Sequence, residues 1–138
     1  MKIVRYRFQG KEEFGCVVGD VVHRLDGDPL INAVKGKAIA PLDSIALLAP
    51  CRPAKVVAMA INFPGIDGYS PTMKEPTVFI KPGTSVCGPG DPVINPFPDL
   101  PWWGEAELGV VIRHTLRNVG EDRVREGVLG FTIGNDAS

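Results

Sequence analysis

Three acids and one lysine are the side chains on which this sequence could do chemistry. Glu105 and Glu107 stand in the run Gly104-Glu105-Ala106-Glu107-Leu108-Gly109-Val110-Val111-Ile112, and Asp136 follows in Asn135-Asp136-Ala137-Ser138. The run has the composition of a β-strand. Successive strand side chains point to opposite faces, so Glu105 and Glu107 share one face while Ala106, Leu108, Val110 and Ile112 form the other. The reading is of a carboxylate pair mounted on a buried strand. Two ionised carboxylates roughly 6 to 7 Å apart repel by about 2 to 3 kcal/mol at an effective dielectric near ~20. A hard divalent cation such as Mg²⁺, which prefers oxygen ligands, would offset that repulsion. In isolation the same pattern also suits the solvent-facing half of an amphipathic strand, and Asp136 alone also suits a turn. Lys81 ends the apolar segment Thr77-Val78-Phe79-Ile80-Lys81 just before Pro82-Gly83. It is either the point where a strand reaches solvent or a compact cation for an anionic substrate or an enolate oxygen.

The elements that must carry these residues are mostly short strands. Gly (16) and Pro (13) are abundant without any repeat, a sign of tight turns between strands. Strands are expected over Lys2 to Phe8, Phe14 to Val18 and Val21 to Leu25, with a turn at Gly19-Asp20. A helical turn fits Pro29 to Val34, and an extended segment fits Pro41 to Ala49. The unbroken apolar run Lys55 to Ile61 suits a strand covered on both faces. It leads into the long loop Asn62 to Pro71, which contains Asp67, and loops of that length often carry function. A short extended piece follows at Val93 to Asn95. Gly120 can cap a helix running to about Glu126, with Glu121 and Asp122 in its first turn. Leu129 to Ile133 begins a last strand that ends at Asp136.

Size and charge exclude several classes. With 138 residues, 44% of them hydrophobic, the chain can bury one core, which predicts a single compact unit. Lys and Arg total 15 against 16 for Asp and Glu, and the basic residues form no stripe, so nucleic acid is not an expected partner. No apolar run approaches membrane-spanning length, and Lys2, Arg5 and Arg7 fall where a signal peptide would be apolar. The expectation is a soluble, cytoplasmic protein with no membrane partner. Cys16, Cys51 and Cys87 are odd in number and widely spaced, which fits buried reduced thiols rather than disulfides or a zinc site. His23 and His114 read as surface or structural residues. Trp102-Trp103 reads as core packing in preference to a pocket wall. No nucleophile-elbow, phosphate-loop or dinucleotide glycine pattern occurs.

Five blocks in order resemble the fumarylacetoacetate hydrolase family. They are Lys55 to Phe63, Pro76 to Pro82, Gly88-Pro89-Gly90-Asp91-Pro92, Glu105 to Ile112 and Gly130 to Ser138. The first fifty residues are similar to the small N-terminal domain of many members, among them isomerases and decarboxylases of aromatic-acid breakdown. The resemblance implies a β-rich α+β fold, a roll of mixed sheets. It divides the chain into a small N-terminal β-domain with linker (1–50) and the first part of a metal-binding catalytic domain (51–138). It further implies that Glu105, Glu107 and Asp136 bind one divalent metal, Mg²⁺ first, with Mn²⁺ or Ca²⁺ as alternatives. The substrates implied are small 2-oxo or 2-hydroxydienoic acids, which react through a metal-stabilised enolate with help from Lys81 toward isomerisation, C–C hydrolysis or decarboxylation. Where the family carries a loop histidine and acid, this chain has Pro64-Gly65-Ile66-Asp67, leaving Asp67 as the ionisable group for proton transfer. Family members continue through further strands beyond the Asn-Asp block. A C-terminally incomplete roll is therefore expected, its missing strands supplied by a second chain or by homo-oligomerisation. The other reading is a non-catalytic binding or assembly subunit that keeps the fold without the base.

Overall fold

A computed structural model of the chain describes residues 1–138. Nine strands and three short 3₁₀ turns make up its regular structure, and every strand pairing is antiparallel. The chain is thus strand-rich with almost no helix. The mixed pairing implied by the resemblance does not occur in it, and no α-helix accompanies the strands. No helix is long and apolar enough to cross a membrane.

Contacts separate two compact units where composition predicts one. The first combines Met1–Cys51 with Gly88–Ser138, and the second is Arg52–Cys87. In the first unit, β1 (Lys2–Phe8), β2 (Lys11–Val18), β3 (Val21–Asp26), β4 (Val34–Pro41) and β5 (Ala46–Leu48) form one sheet in the order β4-β3-β2-β1-β5. Two turns set its register. Gln9 and Gly10 both have positive φ, as a two-residue hairpin loop requires, and Gly19 takes the positive φ of the Gly19-Asp20 turn. β4 was not foreseen, because Lys35, Gly36 and Lys37 interrupt its apolar pattern. It forms as an edge strand, with register shifts against β3 around His23.

The core lies in this sheet. Tyr6, Val22 and Ile45 are buried together, with Val4, Phe8, Val17, Ile39 and Leu47 packed around them. Tyr6 is 1% exposed. Gly15 makes room for it, since a Cβ there would stand 2.9 Å from the Tyr6 ring and 2.7 Å from the His23 carbonyl. The Tyr6 hydroxyl donates to Glu13 at 3.1 Å. His23 has the structural role expected of it, its Nδ1 lying 3.3 Å from the Gly36 carbonyl.

The rest of the first unit includes β8 (Gly104–Ile112) and β9 (Val128–Ala137), a two-stranded sheet. The helix expected from Gly120 to Glu126 is instead a turn leading into a 3₁₀ segment, Val124–Gly127. Its bonds run from Arg123 N to Gly120 O and from Glu126 N to Arg123 O, i to i+3. Seven residues between a glycine and a strand are too few to repay an α-helical nucleus. Val93 to Asn95 joins no sheet.

The second unit is a hairpin of β6 (Lys55–Ile61) and β7 (Thr77–Pro82) joined by the long loop. β6 is not covered on both faces, for Val57 and Met59 are each more than half exposed. Its apolar run anticipated cover that β7, its single partner strand, does not provide. The cysteines are all free, but only Cys16 is buried, while Cys87 is exposed.

Burial, with the Glu13 carboxylate second, pushes the Tyr6 phenol up to about 12. A raised folded-state value favours the neutral phenol, so this contribution is complete below about pH 10 and is lost as pH rises toward 12. Urea unfolding should show the wild type losing about 1.4 kcal/mol between about pH 8 and about pH 11 beyond any loss in Tyr6→Phe. Equal losses in both proteins would show that Tyr6 does not carry the difference.

Candidate metal centre

The three acids meet through the pairing of β8 with β9. Glu105 lies opposite Asp136, and Glu107 lies opposite Gly134. Residues two apart share a face and directly opposed residues point the same way, so all three carboxylates project from one side of the hairpin. The ladder continues one pair further, with Trp103 N to Ser138 O at 2.9 Å and Ser138 N to Trp103 O at 3.1 Å. Pairs that exchange both bonds recur every second residue, which makes Glu105 and Asp136 such a pair with Cα atoms about 5.5 Å apart. Gly134 places no side chain over Glu107.

This face of the hairpin comprises Trp103, Glu105, Glu107, Gly109 and Val111 on one strand and Ser138, Asp136, Gly134, Thr132 and Gly130 on the other. It carries three acids and no basic residue. An all-oxygen, triply acidic donor set has the chemistry of a hard divalent cation site. The side chains themselves are not drawn together onto one point, and no group of three is close enough to hold an ion. Glu105 is instead turned toward Trp103, whose Nε1 donates to its Oε1 at 2.8 Å. The donor types are those a hard cation takes, while the side chains as placed do not converge on a common point.

The strand bearing the acids is not buried, contrary to the sequence reading. Glu105 and Glu107 are exposed and Asp136 is partly buried. On the opposite face Leu108 is 70%, Phe131 70% and Ile133 86% exposed. A two-stranded sheet with nothing layered on either face cannot bury its apolar side. The tryptophans are likewise not core, since both are about half exposed. Trp102 lines an apolar cavity of about 230 Å³ with Val93, Phe97 and Ala137. The bond from Trp103 to Glu105 was missed, although its i, i+2 spacing on a strand is the signal that would have found it.

Lys81 and Asp67 belong to the second unit. Lys81 is partly buried on β7 opposite Val56, its ammonium 5.7 Å from the Phe79 ring centroid. At that distance the ring face attracts the cation. Asp67 is exposed in a turn of the loop, next to the bond from Tyr69 N to Ile66 O at 3.1 Å.

Sequence reading also missed Arg113, just past β8. Its Nε donates to Leu30 O at 2.9 Å and its Nη2 to Ile31 O at 3.3 Å, while its backbone N–H bonds Gly127 O. The side chain thereby ties the acid-bearing hairpin to the turn before β4. No local pattern announces a partner more than eighty residues away.

Residues 55–138 match the family model described as fumarylacetoacetate (FAA) hydrolase C-terminal, and residues 1–50 match the one described as Rv2993c-like, N-terminal. The chain is similar to the fumarylacetoacetate hydrolase domain-containing protein 2 homolog of Dictyostelium discoideum, with 33% identity covering 79% of this chain and 36% of that protein. It is also similar to a 2,4-didehydro-3-deoxy-L-rhamnonate hydrolase of a Sphingomonas strain, with 33% identity covering all of this chain and 53% of that one. Among solved structures, a 5-carboxymethyl-2-hydroxymuconate delta-isomerase from Mycobacterium smegmatis superimposes with a TM-score of 0.87 at 31% identity. That match covers 100% of this chain and 55% of the other. The chain spans roughly a third to just over half the length of the curated relatives it matches.

Arg113→Met keeps the aliphatic stem but removes the two carbonyl contacts. It should lower the stability of the first unit by about 1 kcal/mol in urea unfolding, since the Leu30 contact is only part-buried and the Ile31 carbonyl is open to water, which can replace the lost donor. An unchanged midpoint would show that the hairpin is held without it.

Proposed function

The chain belongs to the fumarylacetoacetate hydrolase family, and from that premise we propose that it carries the metal-binding part of an enzyme acting on small 2-oxo or 2-hydroxydienoic acids. The observation that supports this most is the register that sets Glu105 opposite Asp136 with Glu107 on the same face. These three carboxylates would hold one divalent cation, Mg²⁺ in the first instance. When bound, the cation supplies Lewis-acid polarisation of a substrate oxygen. The hydrolase and isomerase names of relatives at 33% and 31% identity support this range of chemistry.

The chain's own residues take three roles in this proposal. The carboxylates present acceptor oxygens and concentrate negative charge at one end of the hairpin. Lys81 contributes a fixed positive charge to an anionic substrate group, its ammonium oriented by the Phe79 ring. Asp67 is the acid of the Pro64-Gly65-Ile66-Asp67 stretch and takes or returns a proton in place of the family histidine. Residues 1–50 act as the accessory domain, and residues 51–138 as the first part of the catalytic one.

We also propose that the apolar face of β8–β9 receives further strands of a β-roll, from the same gene product, a second chain or a second copy. Leu108, Val110, Ile112, Phe131 and Ile133 are all about half exposed or more, and they adjoin one another across the ladder. Contiguous apolar surface of this kind marks an interaction site.

Calorimetric titration with MgCl₂ and MnCl₂ should show one site, weakened at least about tenfold in Glu107→Gln and in Asp136→Asn, while Lys81→Met keeps metal affinity. Turnover of oxaloacetate, an acylpyruvate or a 2-hydroxydienedioate, measured with any partner chain added, should fall in all three variants. Metal affinity untouched by Glu107→Gln would return the carboxylates to solvated surface. Binding without turnover would favour an assembly subunit.

A further inference from the structure

The register of β8 with β9 offers the Glu105 carboxylate two directions. Glu105 lies directly opposite Asp136, where Cβ atoms stand about 4.5 to 5.5 Å apart, and Glu107 follows on the same face. On the side away from Glu107 stands Trp103, whose backbone two ladder bonds to Ser138 hold in line with the strand. A glutamate has enough staggered side-chain torsions to turn either way. In this structure it turns to Trp103, whose Nε1 donates to Oε1 at 2.8 Å, and the three acids do not converge. The preference has an electrostatic cause. Turned toward Asp136 and Glu107, the carboxylate would meet like charge, which is destabilising across a ladder. Turned toward Trp103, it gains a hydrogen bond to an ionised acceptor, the stronger kind.

We propose that Trp103 is a latch on the acid face, holding Glu105 away from Glu107 and Asp136 until a cation draws the carboxylate off the indole. This rests on the metal-binding reading given above. An indole N–H is a donor only, so Trp103 cannot join the ligands of a cation and acts solely on the direction of Glu105. The bond therefore opposes metal binding, and its removal strengthens it. Because Trp103 is 57% exposed, water competes for the bond and the latch is weak, a matter of about three- to tenfold in affinity. A weak latch is one that a divalent cation can open. The same exposure means that replacing the ring leaves the buried core of the first unit intact.

The test uses the whole chain and Mg²⁺, an ion that does not itself quench indole emission. Its affinity is measured calorimetrically for the wild type, Trp103→Phe and Trp102→Phe, with circular dichroism confirming an unchanged fold. Trp103→Phe should bind Mg²⁺ about threefold or more tighter than wild type, a gain that damage to the fold would not produce. Trp102→Phe, whose ring lines the apolar cavity, should bind as the wild type does. In Trp102→Phe the remaining emission reports Trp103 alone, and Trp102→Phe combined with Glu105→Ala gives the signal of the released indole. Saturating Mg²⁺ should move the first spectrum toward the second. Wild-type binding that Trp103→Phe leaves unchanged or weakens, or Mg²⁺ binding with the Trp103 emission unmoved, would overturn the latch and leave the metal reading standing. Absence of binding in both the wild type and Trp103→Phe would overturn the metal reading, and the latch with it.

Discussion

The antiparallel register of β8 with β9 is the constraint on which the candidate site depends. It brings together acids separated by 29 and 31 positions in the chain, setting Glu105 across from Asp136 and Glu107 beside them. Because strand side chains alternate with a period of two, a slip of one residue would send Asp136 to the face of Leu108 and Val110 and break up the set. Hydrogen bonds carry the pairing from Trp103–Ser138 at one end to the turn region near Arg113 at the other. Like charges opposed across a ladder are destabilising. A hairpin that keeps this arrangement suits a function in which positive charge arrives from outside it.

The packed core and the candidate site occupy different parts of the first unit. The buried hydrophobic residues Tyr6, Cys16, Val22, Leu25, Ile45 and Ala49 all belong to the first fifty residues. The hairpin with the acids has no buried side chain of its own and is tied to the remainder by contacts such as those of the Arg113 side chain with the Leu30 and Ile31 carbonyls. In this unit the N-terminal sheet supplies the packed core, and the acid-bearing ladder supplies geometry. The apolar side of that ladder is exposed, with Leu108, Phe131 and Ile133 open to solvent.

Much of the strand structure was legible in the sequence because it is local. β8 was read with its observed ends, and β1, β3, β6 and β7 to within a residue, since alternation or an apolar run between turn residues marks each of them. The errors have physical causes. β4 was overlooked because a Lys-Gly-Lys interruption hides its period, and the edge position it occupies tolerates such charges. The helix at 120–126 was expected from its cap and acids, but so short a segment closes as 3₁₀ turns instead. Burial was overestimated for β6, β8 and the tryptophans, because apolar composition states what a residue would prefer to pack against and not whether a neighbour is there.

The sequence by itself determined most of the strands, the Gly19-Asp20 turn, the family blocks and the sharing of one face by Glu105 and Glu107. Each of these follows from residues adjacent or two apart, where covalent geometry fixes direction. Only the tertiary structure decided that Asp136 stands opposite Glu105, that Trp102 lines a cavity, and that Arg113 reaches the carbonyls of Leu30 and Ile31. The pairing partner of a strand and the rotamer of a long side chain depend on long-range contacts, which chain spacing does not encode.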